Sequence, residues 1–167
     1  MPQMPDDDFE DRLRRSAGTP TNAAKDVLAE QKVEHEAEWD RDEPVRKDLF
    51  VRYAERIYPI IQEKLPWAQA IAGERKHEIT ERPTIPNDRE ILAQRWFILK
   101  PENIVRAHPT STLCFIFQHT GEFSIGVSAG GQVKPTYLTR TPIDQVQSSH
   151  IEGGFEKLLE CLRVGPA

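Results

Sequence analysis

The chain has 167 residues, 38% of them apolar and 29% charged, with a formal net charge of −5, 13 Pro, 9 Gly and two Cys. That length suits one domain with a polar remainder; near-ordinary Pro and Gly frequencies exclude a collagenous or low-complexity protein, and two Cys are too few to staple a disulfide scaffold. The longest apolar run, Leu113 to Phe117, falls far short of the ~18 residues a spanning helix needs, and the opening Asp6, Asp7 and Asp8 leave no apolar stretch for a signal peptide. A cytoplasmic protein without membrane attachment, holding Cys114 and Cys161 as reduced thiols, is therefore expected.

Charge divides the chain. Residues 1 to 48 hold fourteen acidic and eight basic side chains, and the rest hold thirteen acidic and fourteen basic. Only Phe9 and Trp39 among the aromatics precede residue 49. A segment so poor in large apolar groups buries too little to offset an ordering entropy of about 1 to 2 kcal/mol per residue. Residues 1 to 44 are thus read as an acidic arm, mobile or loosely docked, and 45 to 164 as a single folded domain. Within the arm, residues 1 to 18 read as a disordered tail. Thr19 and Pro20 then open a helix at about 20 to 39, whose apolar stripe is thin and whose anchoring residue is Trp39.

The next helix is better specified. Val45, Leu49, Tyr53, Ile57, Ile61 and Leu65 recur every four residues, with Phe50, Ala54 and Ile60 widening the face, so this face is expected to be buried. Pro59 lacks a backbone donor and crowds the carbonyl four residues earlier, which predicts a kink or break near Tyr58. Pro66 is expected to open a last short turn, closed by Gly73 in the left-handed conformation. Residues 74 to 90 are charged, carry Pro83 and Pro86, and read as a connector. Asn87 to Glu90 has a capping-box pattern, but Trp96 to Leu99 fits a buried strand better, so a strand is expected over about 93 to 99. Ile104 and Val105 add a short strand.

Residues 112 to 140 carry the most information. Three short apolar runs are separated by His119-Thr120-Gly121 and Ala129-Gly130-Gly131, each separator ending in the residue that a three-residue hairpin loop needs at its left-handed position. With 119 to 121 as the loop, Phe117 faces Phe123, Phe115 faces Ile125 and Leu113 faces Val127, placing every large apolar side chain on one face. A two-residue loop would set Phe123 beside Gln118 and scatter the apolar set, forfeiting several burial terms of roughly 1.5 to 3 kcal/mol each. The same logic at 129 to 131 pairs Val127 with Val133, Ile125 with Pro135 and Phe123 with Tyr137. Pro135, which cannot donate to a ladder, points to an edge strand. Ser149 and Glu152 then have capping-box spacing before a helix with Phe155, Leu158, Leu159 and Leu162 on one face, stopped by Gly165 and Pro166. The predicted class is α+β: a four- or five-stranded antiparallel meander packed on one face by a long N-terminal helix and a C-terminal helix.

No residue set assigns a reaction. The five histidines, at 35, 77, 108, 119 and 150, lack the spacing of a metal-binding pair, so no metal and no cofactor is expected; a composite site from His108, His119 and Asp144 would require converging loops. A thiol mechanism would need Cys114 beside His119, but the register separates them by roughly 16 Å of strand. Cys161 reads as core. No catalytic residue is assigned. Seven cations between residues 74 and 106, Arg75, Lys76, Arg82, Arg89, Arg95, Lys100 and Arg106, give a second reading as a nucleic-acid-associated accessory protein, although six acids lie among them. An unrecognised hydrolase using loop histidines is a third. The favoured reading is a non-enzymatic protein-interaction module, adaptor or chaperone-like, that presents a sheet face or edge to another protein. Its contact residues would be Ser124, Ser128, Lys134, Thr136, Leu138 and Arg140, with Trp39 from the arm.

The hairpin register yields a direct test. Replacing Phe117 by Ala is expected to cost about 3 to 5 kcal/mol in a denaturant titration, whereas a loss under ~1 kcal/mol would mean that this side chain is not in the core.

Overall fold

The computed structural model describes residues 6–18, 22–103, 110–130 and 134–163, which fall into two compact units, Met1–Pro44 and Val45–Ala167. The expected strand at Ile104 and Val105, the cap at Thr19 and Pro20, and the stop at Gly165 and Pro166 lie outside the described residues.

In the first unit, α1 (Asp6–Ser16) and α2 (Asn22–Arg41) are both helical. The expectation of disorder over residues 1 to 18 fails at α1, for local reasons. Arg14 and Arg15 close it, matching the helix dipole at that end, and Arg14 is paired with Glu10 one turn back while donating to Asn22 Oδ1 at 2.7 Å. No residue of α2 is buried.

α3 (Glu43–Arg52), of which all but the first two residues belong to the second unit, runs into a π-helical turn (Tyr53–Ile57) and then α4 (Tyr58–Glu74). In place of the expected kink or break near Tyr58, the chain stays helical and widens to this π turn. Tyr58 N–H donates to Tyr53 O, and the wider turn makes room ahead of Pro59, which has no N–H to give. Tyr53, Ile57 and Ile61 are buried, but Val45 and Phe50 are exposed, so the apolar face is covered only along its second half. Pro66 does not interrupt α4, because Ile61, Ala68 and Ala72 bury one continuous face on either side of it. Gly73 stays helical, and the left-handed residue is Lys76 (φ 56°), whose N–H reaches Gly73 O at 3.0 Å.

Five strands follow in simple antiparallel order: β1 (His77–Arg82), β2 (Ile91–Pro101), β3 (Ser111–Gln118), β4 (Glu122–Ser128) and β5 (Thr136–Pro142). β1 occupies about a third of the stretch read as a connector. It has one buried apolar residue, Ile79, and is held by ladder pairing and by contacts of Glu78 to Lys100 and Glu81 to Arg95, none of which leaves an alternating pattern. Between β3 and β4 the register is the predicted one: Phe117 with Phe123, Phe115 with Ile125 and Leu113 with Val127, about a turn in which Gly121 has φ +88°. Between β4 and β5 it is not. Val127 pairs with Thr136, Gly126 with Tyr137 and Ile125 with Thr139, so the connection is longer than Ala129 to Gly131 and Leu138 is an extra residue, a β-bulge. Pro135 stands just before an edge strand rather than inside it.

Both helices pack on one sheet face, where Phe97, Leu113, Phe115, Phe117, Phe123 and Ile125 are fully buried. Phe115 lies centrally, with ring centroids 6.0 Å from Phe97, 6.0 Å from Phe123 and 5.7 Å from Phe155 of α5 (Ser148–Glu160). The cap of α5 begins earlier than Ser149. Gln147 caps it reciprocally with His150, whose Nδ1 accepts from Gln147 N–H at 3.0 Å, and Glu152 instead pairs with Lys64 of α4 at 2.9 Å. Ahead of α5, Asp144 accepts from Arg52 and Arg56 at 3.3 and 3.4 Å, and Arg56 also reaches the carbonyl of Asp144 at 3.2 Å. These contacts tie the segment between β5 and α5 to the long helix. No helix among the described residues is long and apolar enough to cross a membrane.

The two adjacent glycines of α5 provide a matched pair of substitutions. A Cβ at Gly154 would stand 2.9 Å from Ile125 Cγ2 and 3.2 Å from Leu113 Cδ1, whereas one at Gly153 would meet nothing within 4 Å. Gly154→Ala is therefore expected to cost about 1 to 3 kcal/mol and Gly153→Ala to stabilise by about 0.5 to 1 kcal/mol, both read by chemical denaturation.

Candidate functional site

Alternation along β3 and β4 sends Cys114, Ile116, Ser124, Gly126 and Ser128 to the face away from α4 and α5. This face is less open than its small side chains suggest. Ser124 is 3% exposed, with its hydroxyl 3.4 Å from Glu122 Oε1, and is withdrawn from any contact surface. A Cβ on Gly126 would lie 3.1 Å from Cys114 Sγ, 3.1 Å from Pro135 Cβ and 3.2 Å from Tyr137 Cδ1. Pro135 and Tyr137 thus fill the groove that glycine leaves. The sequence carried a signal for this, since a glycine inside a strand marks a bulge or a close approach.

The bulge redistributes the expected contact residues. Tyr137, expected inside opposite Phe123, is on the outer face opposite Gly126, where its ring carries the Arg140 guanidinium at 4.0 Å. Leu138, expected on that outer face, lines a cleft beside α5 with Thr139, His150, Gly153, Glu156 and Lys157, and is 40% exposed. Lys134, Thr136 and Arg140 are exposed and Ser128 is half-buried. Trp39 lies on α2 in the other unit and is half-buried. Tyr137 is the surface residue that the sequence reading assigned to the core.

The groups considered for chemistry are occupied elsewhere. Burial pushes the Cys114 thiol up to about 11, which keeps it protonated at neutral pH. Cys161, read as core, is half-buried in the turn after α5. His150 is spent on the helix cap, Asp144 on two arginines, and His108 lies outside the described residues. Among the described residues no three His, Cys, Asp or Glu side chains are grouped as metal ligands would be.

The basic stretch is likewise divided. Arg95 is on the inner face opposite Phe115, 7% exposed, with Nε and Nη2 donating to the two oxygens of Glu81 at 2.7 and 2.8 Å and Nη2 also to Gln62 Oε1 at 2.9 Å. Its guanidinium lies 4.8 Å from the Tyr58 ring centroid and 5.1 Å from that of Phe97. Arg95 is therefore unavailable to a phosphate, and Lys100 is 3.4 Å from Glu78. Arg106 lies outside the described residues. Beside Arg95, burial raises Tyr53 to about 12, opposed in part by the positive charge of Arg95. Hydrogen bonds from Arg95 hold the Glu81 carboxyl below its usual range.

These two shifts act at opposite ends of the pH scale. A folded-state value above the unfolded one makes the Tyr53 contribution complete below about 10 and lost as pH rises through about 12. Tyr53→Phe is expected to flatten the alkaline limb of a stability against pH curve. The lowered Glu81 value makes its contribution present above the ordinary carboxylate range and lost on acidification, so Glu81→Gln is expected to lower stability at neutral pH and to shrink the acid limb.

No family model, no curated protein and no solved structure matches this chain.

Proposed function

We propose that this chain is a small cytoplasmic, non-enzymatic protein-interaction module, adaptor or chaperone-like, that engages another protein through β5 and the surface beside it. The observation that supports this most directly is the state of β5, the last strand of the sheet, with an exposed Tyr137 and Arg140 stacked on its outer side and Leu138 half-exposed on the other. Tyrosine and arginine are the side chains on which interface energy most often concentrates, because each offers large contact area together with directional hydrogen bonding. The stack at 4.0 Å also holds both side chains before any partner arrives, which lowers the ordering cost of association. Lys134 and Thr136 extend the same surface towards the start of the strand, and Ser128 lies beside it. The arm, with Trp39, is proposed as an accessory contact.

The nucleic-acid reading has less support, because Arg95 is buried against Glu81 and Lys100 lies 3.4 Å from Glu78 of β1.

The test is co-purification from native extract with the full chain, comparing the wild type with Tyr137→Ala combined with Arg140→Glu, and with Glu63→Lys on α4 as a surface control. A specific partner retained by the wild type and the control but reduced about tenfold or more in the double variant is expected. A partner retained equally by all three, or a salt-dependent gel shift with mixed duplex and single-stranded nucleic acid in place of any protein partner, would overturn the proposal.

A further inference from the structure

We infer that the cleft between β5 and α5 receives a short extended peptide, added as a strand at the β5 edge, with an apolar side chain over Leu138 and Gly153 and a basic side chain at Glu156. This rests on the protein-interaction reading above and names the ligand class for it.

The backbone supplies the first argument. Ile143 N–H donates to Gly121 O at 2.9 Å, and the pairs Thr141 with Phe123 and Thr139 with Ile125 continue that register. In an antiparallel ladder, hydrogen-bonded and non-hydrogen-bonded pairs alternate, so Thr139 and Thr141 turn their polar groups to β4 while Arg140 N–H and C=O and the Pro142 C=O face the open edge. Pro142 is tolerated because the donor it lacks points outward. Pro135 before the strand and Pro142 at its end confine any added strand to a few residues, which suits a peptide and discourages open-ended stacking of sheets.

Shape supplies the second. The bulge brings Leu138 to line, together with residues of α5, an open cleft of about 310 Å³. On the opposite wall the space next to Gly153 is empty to 4 Å, so the helix backbone is open to an incoming side chain there.

Charge supplies the third and selects the occupant. Lys157 is neutralised by Glu160 at 3.0 Å, and the His150 ring is held by Gln147, whereas Glu156 has no ion-pair partner among the described residues. The cleft thus carries one uncompensated negative charge, which a lysine or arginine of the peptide would meet. Successive side chains of a strand point to opposite faces, so the intervening positions would pass Arg140 and Tyr137 on the outer side, where acidic residues are favoured. The recognised pattern alternates apolar and basic residues on one face with acidic residues on the other.

The experiment titrates the full chain with a terminally blocked peptide of that pattern, a leucine flanked at alternate positions by lysines with glutamates between, and with a counterpart whose lysines are replaced by glutamates. Binding is followed by amide chemical shifts. Saturable binding of the lysine peptide is expected, with shifts concentrated at Thr139, Arg140, Thr141 and Gly153. Glu156→Lys is expected to weaken it about tenfold and to improve binding of the counterpart, and Gly153→Leu, which fills the cleft from the exposed side of α5, to abolish it with the fold intact by thermal melting. No binding of the lysine peptide at millimolar concentration, binding indifferent to Glu156→Lys, or shifts confined to other elements would overturn this assignment. The broader reading is judged separately: a native partner lost on combining Tyr137→Ala with Arg140→Glu, but retained by Glu156→Lys and Gly153→Leu, would leave that reading standing and remove the cleft.

Discussion

The turn that joins β3 to β4 governs the sheet unit, because a side-chain period of two makes register an all-or-none choice. Gly121, with its positive φ, closes a three-residue loop and sets Phe117 against Phe123, Phe115 against Ile125 and Leu113 against Val127. A slip of one residue would turn every one of these side chains away from α4 and α5. With the register set, the inner face of β3 and β4 is a continuous apolar surface, and both helices have one place to bury their own apolar stripes. The close approach of Gly154 to Ile125 and Leu113 then follows, since a helix lying that near the sheet leaves no room for a side chain between them.

Against this apolar face stands one buried charge among the described residues. Arg95 sits opposite Phe115 on the inner side, and its cost is offset in part by the two-point contact with Glu81, the bond to Gln62, and the faces of Tyr58 and Phe97, while Nη1 is buried without a hydrogen-bond partner. The arrangement links β1, β2 and α4 through one guanidinium. It also explains how a strand as polar as β1 is held at the sheet edge, because Glu81 contributes to the fold through its partner rather than through burial of its own apolar area. The π turn at Tyr53–Ile57 belongs to the same region, presenting Tyr53 to the Phe117 ring at a centroid distance of 5.6 Å.

The other edge of the sheet is organised by absence of a side chain. Gly126 admits Pro135 and Tyr137 into the outer face, and the bulge that brings Tyr137 there displaces Leu138 towards α5. One small residue therefore gives β5 two different sides, an aromatic and cationic one and an apolar one beside a carboxylate. The proposed contact surface and the proposed peptide cleft both derive from that single irregularity.

What the amino-acid sequence determined by itself is local. The periodic helix before residue 74, the disturbance ahead of Pro59, the β3 to β4 hairpin and the C-terminal helix each rest on residues close in the chain, so spacing and turn chemistry were sufficient to read them. What only the tertiary structure decided is set by distant partners. β1 exists through its pairing with β2 and through Arg95, Pro66 is carried inside α4 by packing on both sides of it, and Leu138 and Tyr137 exchange faces because Gly126 lies across the ladder from them. The candidate contact residues on β4 and β5 could be placed on adjacent strands from spacing alone, but which of them reach the surface depended on a bulge. A bulge changes the energy of a strand by its fit to a neighbour, and although Gly126 marks a close approach, the order of the residues does not say which residue of β5 is the extra one.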